Sequence, residues 1–338
     1  MRWVRFLVRP FTRKPTVVIS QSDTLSRIFL TSRNLYTQVA ETCCLGDGVQ
    51  LDDFCKLGPN TVVGANSKIG RFTEIGSDCH IGSFVRLDSH VLVDSNTMIG
   101  DHCTVYPFAV LGYRPQDKKY KGEQTGLEIG SRCQIRENVK IERGTSFRNK
   151  TVIGNDVLLM SNVYVGHDSW LHDHVTVANN VSIAGHVELH PYCVIGGHSA
   201  LHQFVRIGQG AMIGGKTIVV FQVESLQKPR GMAAIRRDVP PFCLVTGTPP
   251  RIRCLNYHQV WKKVTHHKHR KWMKQSFDYL FDSDDVSSIH QRAQHLLSQC
   301  SLSKDVSAIA RYVIQEMCTF ILSCHSSVRG LLTLVHNR

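Results

Sequence analysis

Three histidines of this chain stand where they can act together. His167, His186 and His202 follow, by two, three and one positions, the aliphatic residues Val165, Ile183 and Leu201, which are eighteen apart. If residues eighteen apart stack, the three imidazoles share one outer edge, with Asp168 beside the first. Gly185 then lies one layer above His167, which puts its backbone N–H at the working side of the imidazole. A histidine held near a carboxylate serves as a general base at neutral pH. A glycine amide on the opposite side is suited to hold an oxyanion. The chain has eighteen histidines, and a single one is usually structural; the shared edge is what singles these three out.

The stacking follows from the elements that must carry them. Aliphatic residues recur every six positions from Leu45 through Leu51, Leu57 and Val63 to Leu111, return at Ile129, Ile135 and Ile141, and run again from Ile153 to Ile213. Six residues make one short strand and one turn, and three such units close a triangular coil. Each coil pairs with the next through parallel ladders, and only stacking buries the aliphatic column. The expected fold is a left-handed parallel β-helix of hexapeptide repeats. The glycine that often follows the aliphatic residue (Gly58, Gly64, Gly70) is expected to ease the corner, where positive φ is cheap without a Cβ.

Five of the twelve cysteines, Cys55, Cys79, Cys103, Cys133 and Cys193, sit four residues after a repeat aliphatic. Thr61, Thr73 and Ala109 share that slot, so it is expected to take small inward side chains, with reduced, structural thiols. No CxxC pair or compact zinc-type spacing occurs. The repeat breaks between Leu111 and Ile129. Its polar, Gly- and Pro-containing residues cannot fill a prism, so a protruding loop over 113–126, one coil long, is expected. A second irregular stretch, 216–231, reads as an insertion.

The domain reading is a basic arm or transit peptide over 1–40, the β-helix over 41–254 and an α-helical domain over 255–338. Arg2, Arg5, Arg9, Arg13, Lys14, Arg27 and Arg33 stand against Asp23 alone, which resembles an import signal and favours a mitochondrial location, with a plastid as the alternative. Helical spacing is expected over 257–281, over a second helix capped at Ser283, Asp284 or Asp285, and over 304–323. The formal charge is +13. The basic run from Lys262 and Lys263 to Lys274 suits an acidic protein or a diphosphate, and no nucleic-acid motif accompanies it. No apolar run is long enough to span a bilayer.

An ordered set of segments now carries a resemblance. Gln116-Asp117-x-Lys119-Tyr120-x-Gly122-Glu123, Ile135-Arg136-Glu137, Arg143-Gly144-Thr145, Ala184-Gly185-His186-Val187, Ile195-Gly196-Gly197, His202-Gln203-Phe204 and Asp238-Val239-Pro240-Pro241 occur in this order. Together they resemble the UDP-N-acetylglucosamine acyltransferase family that begins lipid A biosynthesis, strongly over residues 42–215 and weakly beyond. The resemblance implies a homotrimer with sites between subunits. It implies transfer of a 3-hydroxyacyl group from acyl carrier protein to the glucosamine 3-hydroxyl of UDP-N-acetylglucosamine, with no metal and no cofactor. It makes His167 the base, Asp168 its support and the Gly185 amide the oxyanion donor. Asp117, Lys119, His186, His202, Gln203, Asn256, Lys262 and Lys263 become substrate-binding residues, and Gly215 or Gly231 limits acyl length.

The chain departs from that family's pattern at Tyr164 and Glu142, where a histidine is common, and around 255–263, where Gln259 replaces a usual glycine. Two other readings compete. A γ-type carbonic anhydrase-like zinc protein would use pairs such as His167 with His172 or His198 with His202. A non-catalytic hexapeptide scaffold would bind partners only; His167-Asp168 and Gly185 speak against it.

Overall fold

The computed structural model describes residues 36–216, 237–247, 250–261, 266–281, 288–302 and 306–324. Among the described residues, the hexads fold into short strands, mostly of two residues, gathered in three sheets of nine, nine and eleven strands that are parallel except for the last strand of the third. The first sheet runs from Gln38–Val39 to Ala200–Leu201 and the second from Cys44–Leu45 to Arg206–Ile207. The third begins at Gln50–Leu51 and ends at Arg251–Leu255. Register confirms the stacking rule, with Leu51 opposite Ile69, Leu57 opposite Ile75 and Val63 opposite Ile81. Each aliphatic residue points inward, where Val63, Ile69, Ile81 and Val165 are 0% exposed. The residue before it points outward, as alternation along a strand requires. The architecture is a left-handed parallel β-helix.

Two details of the corner differ from expectation. Positive φ belongs to the third residue after the aliphatic one, at Asn60 (+59°) and Asp78 (+56°), and even Phe54 adopts it (+63°). The glycine one position after the aliphatic residue has another cause. A Cβ on Gly64 would stand 2.5 Å from the carbonyl carbon of Gly82, and one on Gly58 2.6 Å from that of Gly76. These glycines let successive coils approach; Gly112, at +72°, is the exception. The cysteine slot is also broader than expected. It takes Val85, Val139 and Val175 fully buried. Where it holds a thiol or hydroxyl, the group donates to a corner carbonyl one coil on: Cys55 to Gly70 (3.1 Å), Thr61 to Gly76 (2.7 Å) and Cys193 to Gly208 (3.0 Å). All twelve cysteines are free, and burial pushes Cys55 and Cys193 up to about 12.

The break after Leu111 is an addition to a coil and not a whole coil. Leu111 pairs with Ile141 and Ile99 with Ile129, thirty positions apart in place of eighteen, so twelve residues are inserted at the corner between the first and second sheets. One coil later a second insertion follows at the same corner, because Ile141 pairs with Val165 and Ile129 with Ile153, twenty-four apart. Phe147, where the next aliphatic would fall, lies outside the prism at 65% exposure.

The prism also begins earlier than residue 41, since Gln38–Val39 already pairs with Lys56–Leu57. Residues 1–35 of the arm lie outside the described residues, as do 217–231 of the insertion and the residues that follow to 236. The chain then re-enters the third sheet through Cys243–Thr246, parallel to Met212–Ile213, and closes with the antiparallel Arg251–Leu255. The change to helices thus comes two strands after Pro241. Helices α1 (Tyr257–Trp261), α2 (His267–Phe281), α3 (Ile289–Leu302) and α4 (Ala308–Ser323) form the C-terminal part. The stretch expected to be one helix over 257–281 holds both α1 and α2. The second expected helix starts at a different cap: Ser288 Oγ accepts the Gln291 amide, and the Gln291 side chain accepts the Ser288 amide, a reciprocal cap. Met273, Leu280, Ala293, Cys300, Ile314 and Met317 form its core. The unit is tied to the prism by Tyr312, whose hydroxyl donates to Gln209 (2.9 Å), and by Arg206, which lies over Phe320 (4.9 Å).

Candidate active site

The corner between the first and second sheets gathers the expected chemistry. His167 and Asp168 follow the Tyr164–Val165 strand, and Gly185 and His186 follow Ser182–Ile183 one coil on. Asp168 holds +57°, a conformation that Asp tolerates, and its carboxylate is fully buried beneath the six-residue insertion. There it accepts four hydrogen bonds. Oδ1 takes the amides of Thr145 (2.9 Å) and Arg148 (3.1 Å), and Oδ2 takes the Thr145 hydroxyl (2.6 Å) and His167 Nδ1 (2.8 Å). Burial alone would raise its pKa, but the bonds from His167 and Thr145 hold it at about 2. An ionised carboxylate accepts only, so His167 Nδ1 carries the proton and Nε2 presents a lone pair.

The face of this imidazole packs against Gly185. A Cβ there would lie 2.7 Å from His167 Cε1 and Nε2, so the missing side chain is what makes room for the imidazole. The Gly185 carbonyl accepts from Phe204, while its amide has no acceptor among the described residues. The bond to Asp168 raises the His167 pKa against an opposing burial effect, helped by the charges of Asp168, Glu142 and Asp117. His186 moves the other way, lowered by burial and by the charges of His167 and Arg148. It stacks on Phe204 (4.3 Å) and meets the edges of His167 (4.9 Å) and Phe147 (4.7 Å). A base with a raised pKa, a fixed tautomer and an adjacent amide donor can deprotonate a hydroxyl and stabilise the oxyanion it creates.

Several residues of this corner escaped sequence reasoning. Thr145 and Arg148, which seat Asp168, lie on the six-residue insertion; Thr145 stands in the Arg143-Gly144-Thr145 segment of the resemblance, but neither residue had a role assigned. Arg143 is buried and binds the base of the longer loop, donating to the carbonyls of Gly112 (2.6 Å), Ser95 (2.9 Å) and Thr125 (3.5 Å) and pairing with Asp94 (3.1 Å). Beside this framework a groove of about 520 Å³ opens on the first sheet, lined by Leu92, Val110, Tyr113, Pro115, Glu142 and Tyr164.

The other expected site residues divide. Asp117 is close enough for its charge to act on His167 and His186. Its carboxylate accepts the Lys119 amide (2.9 Å) within the loop, and the Lys119 side chain is exposed. His202 and Gln203 occupy the same corner one coil above Gly185, with His202 Nδ1 3.4 Å from the Gln203 carbonyl oxygen. Asn256 is placed elsewhere. It is buried at the start of α1, its side chain donates to the Gly210 carbonyl (2.9 Å), and it joins the helical unit to the end of the prism. Gly215 lies over Gly197 at that same end. Lys262, Lys263 and Gly231 lie outside the described residues.

Among the described residues, two groups of side chains have metal-ligand atoms within 4.8 Å: His167 with Asp168 and His186, and His172 with Glu188 and His190. In the first, the Asp168 oxygens are already engaged by four donors, an arrangement fitted to orienting an imidazole. His172 meets Glu188 (3.1 Å), and His198 meets Asn180 (3.5 Å).

Comparison with known proteins agrees with this geometry. Residues 150–185 match the bacterial transferase hexapeptide family, and residues 238–332 match the family described as UDP-N-acetylglucosamine O-acyltransferase, domain 2. The acyl-[acyl-carrier-protein]–UDP-N-acetylglucosamine O-acyltransferase of Helicobacter acinonychis is 37% identical over 240 residues, 69% of this chain and 76% of that protein. The Synechocystis protein of the same name is 35% identical over 216 residues, 61% of this chain and 72% of its own. Among solved structures, the UDP-N-acetylglucosamine O-acyltransferase of Moraxella catarrhalis superposes with a TM-score of 0.62 at 32% identity, covering 87% of this chain and 99% of that one. The Arabidopsis UDP-N-acetylglucosamine acyltransferase gives 0.66 at 25% identity, covering 88% and 98%. Identity at this level over three quarters of a relative's length, on a shared prism, makes the chain a member of the UDP-N-acetylglucosamine O-acyltransferase family.

Proposed function

We propose that this chain transfers a 3-hydroxyacyl group from acyl carrier protein to the 3-hydroxyl of the glucosamine ring in UDP-N-acetylglucosamine, the first step of lipid A-type synthesis. The observation that carries the mechanism is the Nδ1 tie of His167 to Asp168 at 2.8 Å, with Gly185 against the imidazole and its amide without an acceptor among the described residues. His167 Nε2 takes the proton of the sugar hydroxyl as its oxygen attacks the thioester carbonyl carbon. The carbonyl oxygen, now negative, accepts the Gly185 N–H. The tetrahedral intermediate collapses, the C–S bond breaks, and the imidazolium returns the proton to the departing thiolate of the carrier protein. Asp168 keeps its charge throughout and stabilises the imidazolium.

Asp117 and Lys119 reach the sugar and diphosphate from the protruding loop, and His186, His202 and Gln203 shape the nucleotide-sugar site. Lys262 and Lys263 supply charge for the phosphates, and the positive surface speeds encounter with an acidic carrier protein. Asn256 acts by holding the helical unit in place, and Gly215 or Gly231 sets acyl length. The assembly is a homotrimer, with each corner completed by a neighbouring copy; the exposure of Phe147 over His186 supports this. The arginine-rich N-terminal stretch supports import into mitochondria.

The reading is tested by incubating the purified protein with UDP-N-acetylglucosamine and 3-hydroxyacyl carrier proteins of several chain lengths. An O-acylated nucleotide sugar, identified by mass, is expected with at least one length. A folded protein that forms none at any length would overturn the reading.

A further inference from the structure

Glu142 is 4% exposed at the end of the Lys140–Glu142 strand, and the acid–base step makes no use of it. Its Oε1 accepts the Gln116 amide of the 114–125 loop at 3.0 Å, and its Oε2 accepts the His167 amide at 3.3 Å. The Tyr164 phenol lines the same groove as this carboxylate; burial, and then the nearby Glu142 charge, push the phenol up. All three neighbours are donors, so the position suits an ionised acceptor. Packing alone does not call for this side chain, because the 520 Å³ groove lies open against it. A buried carboxylate is costly unless its partners compensate it, and these partners are the loop and the base.

We propose that Glu142, supported by Tyr164, is a positioning residue that latches the 114–125 loop onto the His167 corner and tunes His167 through its charge. The tuning rests on the reading of His167 as the base; the latch does not. Arg143 anchors the two ends of the loop, whereas Glu142 holds its leading side, next to Asp117, against the backbone of His167.

The groups facing His167 are Asp168 on its own corner, Asp117 on the loop, Glu142 on the coil below and His186 on the coil above, with Arg148 behind Asp168. Removing the Glu142 charge lowers the His167 pKa. The base is then unprotonated at lower pH, so the acid limb of activity moves down.

The test compares Glu142→Gln and Tyr164→Phe with the wild type by peptide-level hydrogen exchange and by pH–rate profiles with UDP-N-acetylglucosamine. In Glu142→Gln the peptide containing Gln116 is expected to exchange at least about tenfold faster, as loss of a charge-assisted hydrogen bond implies. Prism peptides stay unchanged, which shows the fold intact. The acid limb of kcat/KM moves to lower pH and KM for the nucleotide sugar rises. Tyr164→Phe shows the same changes to a smaller degree. Unchanged exchange at Gln116 would overturn the latch even in a protein that transfers no acyl group. Faster exchange with an unmoved acid limb in an active enzyme would overturn the tuning. Absence of transfer by the wild type, with the exchange effect present, would instead count against the base assignment and leave the latch standing.

Discussion

The proton-accepting nitrogen of His167 is defined by what its other nitrogen does. Asp168 accepts the hydrogen bond of Nδ1–H and is itself fixed by Thr145 and Arg148. Because its folded pKa, about 2, lies below the ordinary carboxylate value, Asp168 contributes stability above pH 4 that is lost as pH falls through 2. Asp168→Asn keeps a residue that tolerates the +57° backbone. It is therefore expected to lose about 2 kcal/mol at neutral pH, with the gap to wild type closing toward pH 2 in denaturant titrations. A gap independent of pH would contradict the assignment. Gly185→Ala would drive a methyl group into the imidazole, 2.7 Å from its ring atoms. A fall in kcat of about a hundredfold is expected, the order that a misplaced catalytic group costs, with a melting temperature near that of wild type. The His167, Gly185 and His186 edge was legible in the sequence because an eighteen-residue period survives there. The roles of Thr145 and Arg148 were not, because they sit on an insertion that has no period to read.

At the scale of elements, the hexad specifies the strand and coil contact specifies the corner. Periodicity located nearly every prism strand, since a two-residue strand with one inward aliphatic leaves little freedom. It did not reveal why glycine follows the aliphatic residue, because close approach and positive φ both favour glycine and only the backbone separates them. Gly64→Ala discriminates. Its Cβ would meet the Gly82 carbonyl carbon at 2.5 Å, so a destabilisation of about 1–3 kcal/mol is expected, read in urea. No loss would contradict the close-approach account. The helices were located in outline, but Ser288 was passed over as a cap because Ser283, Asp284 and Asp285 carry the same chemistry nearby. The two corner loops hold the remaining lesson. The longer was visible by its Gly, Pro and charged residues, while the shorter looked like one imperfect hexad and carries the residues that seat Asp168.

On the scale of the whole molecule, a rigid prism presents a single corner where loops, histidines and an open groove meet, and the helical unit closes its end through Asn256, Gln209 and Arg206. No helix among the described residues is long and apolar enough to cross a membrane. A single chain leaves Phe147 and Trp170 exposed beside this corner, and a homotrimer is expected to cover such rings. Light scattering should give three times the chain mass; a monomer that retains full activity would contradict a site completed by a neighbour. The measurement that bears most directly on the central claim is acyl transfer to UDP-N-acetylglucosamine by wild type and His167→Ala side by side, with melting curves to show both folded. A general base contributes about 10²–10⁴ in rate, so the variant should fall by that factor while its KM for the nucleotide sugar changes little. Equal rates in the two proteins would contradict the account.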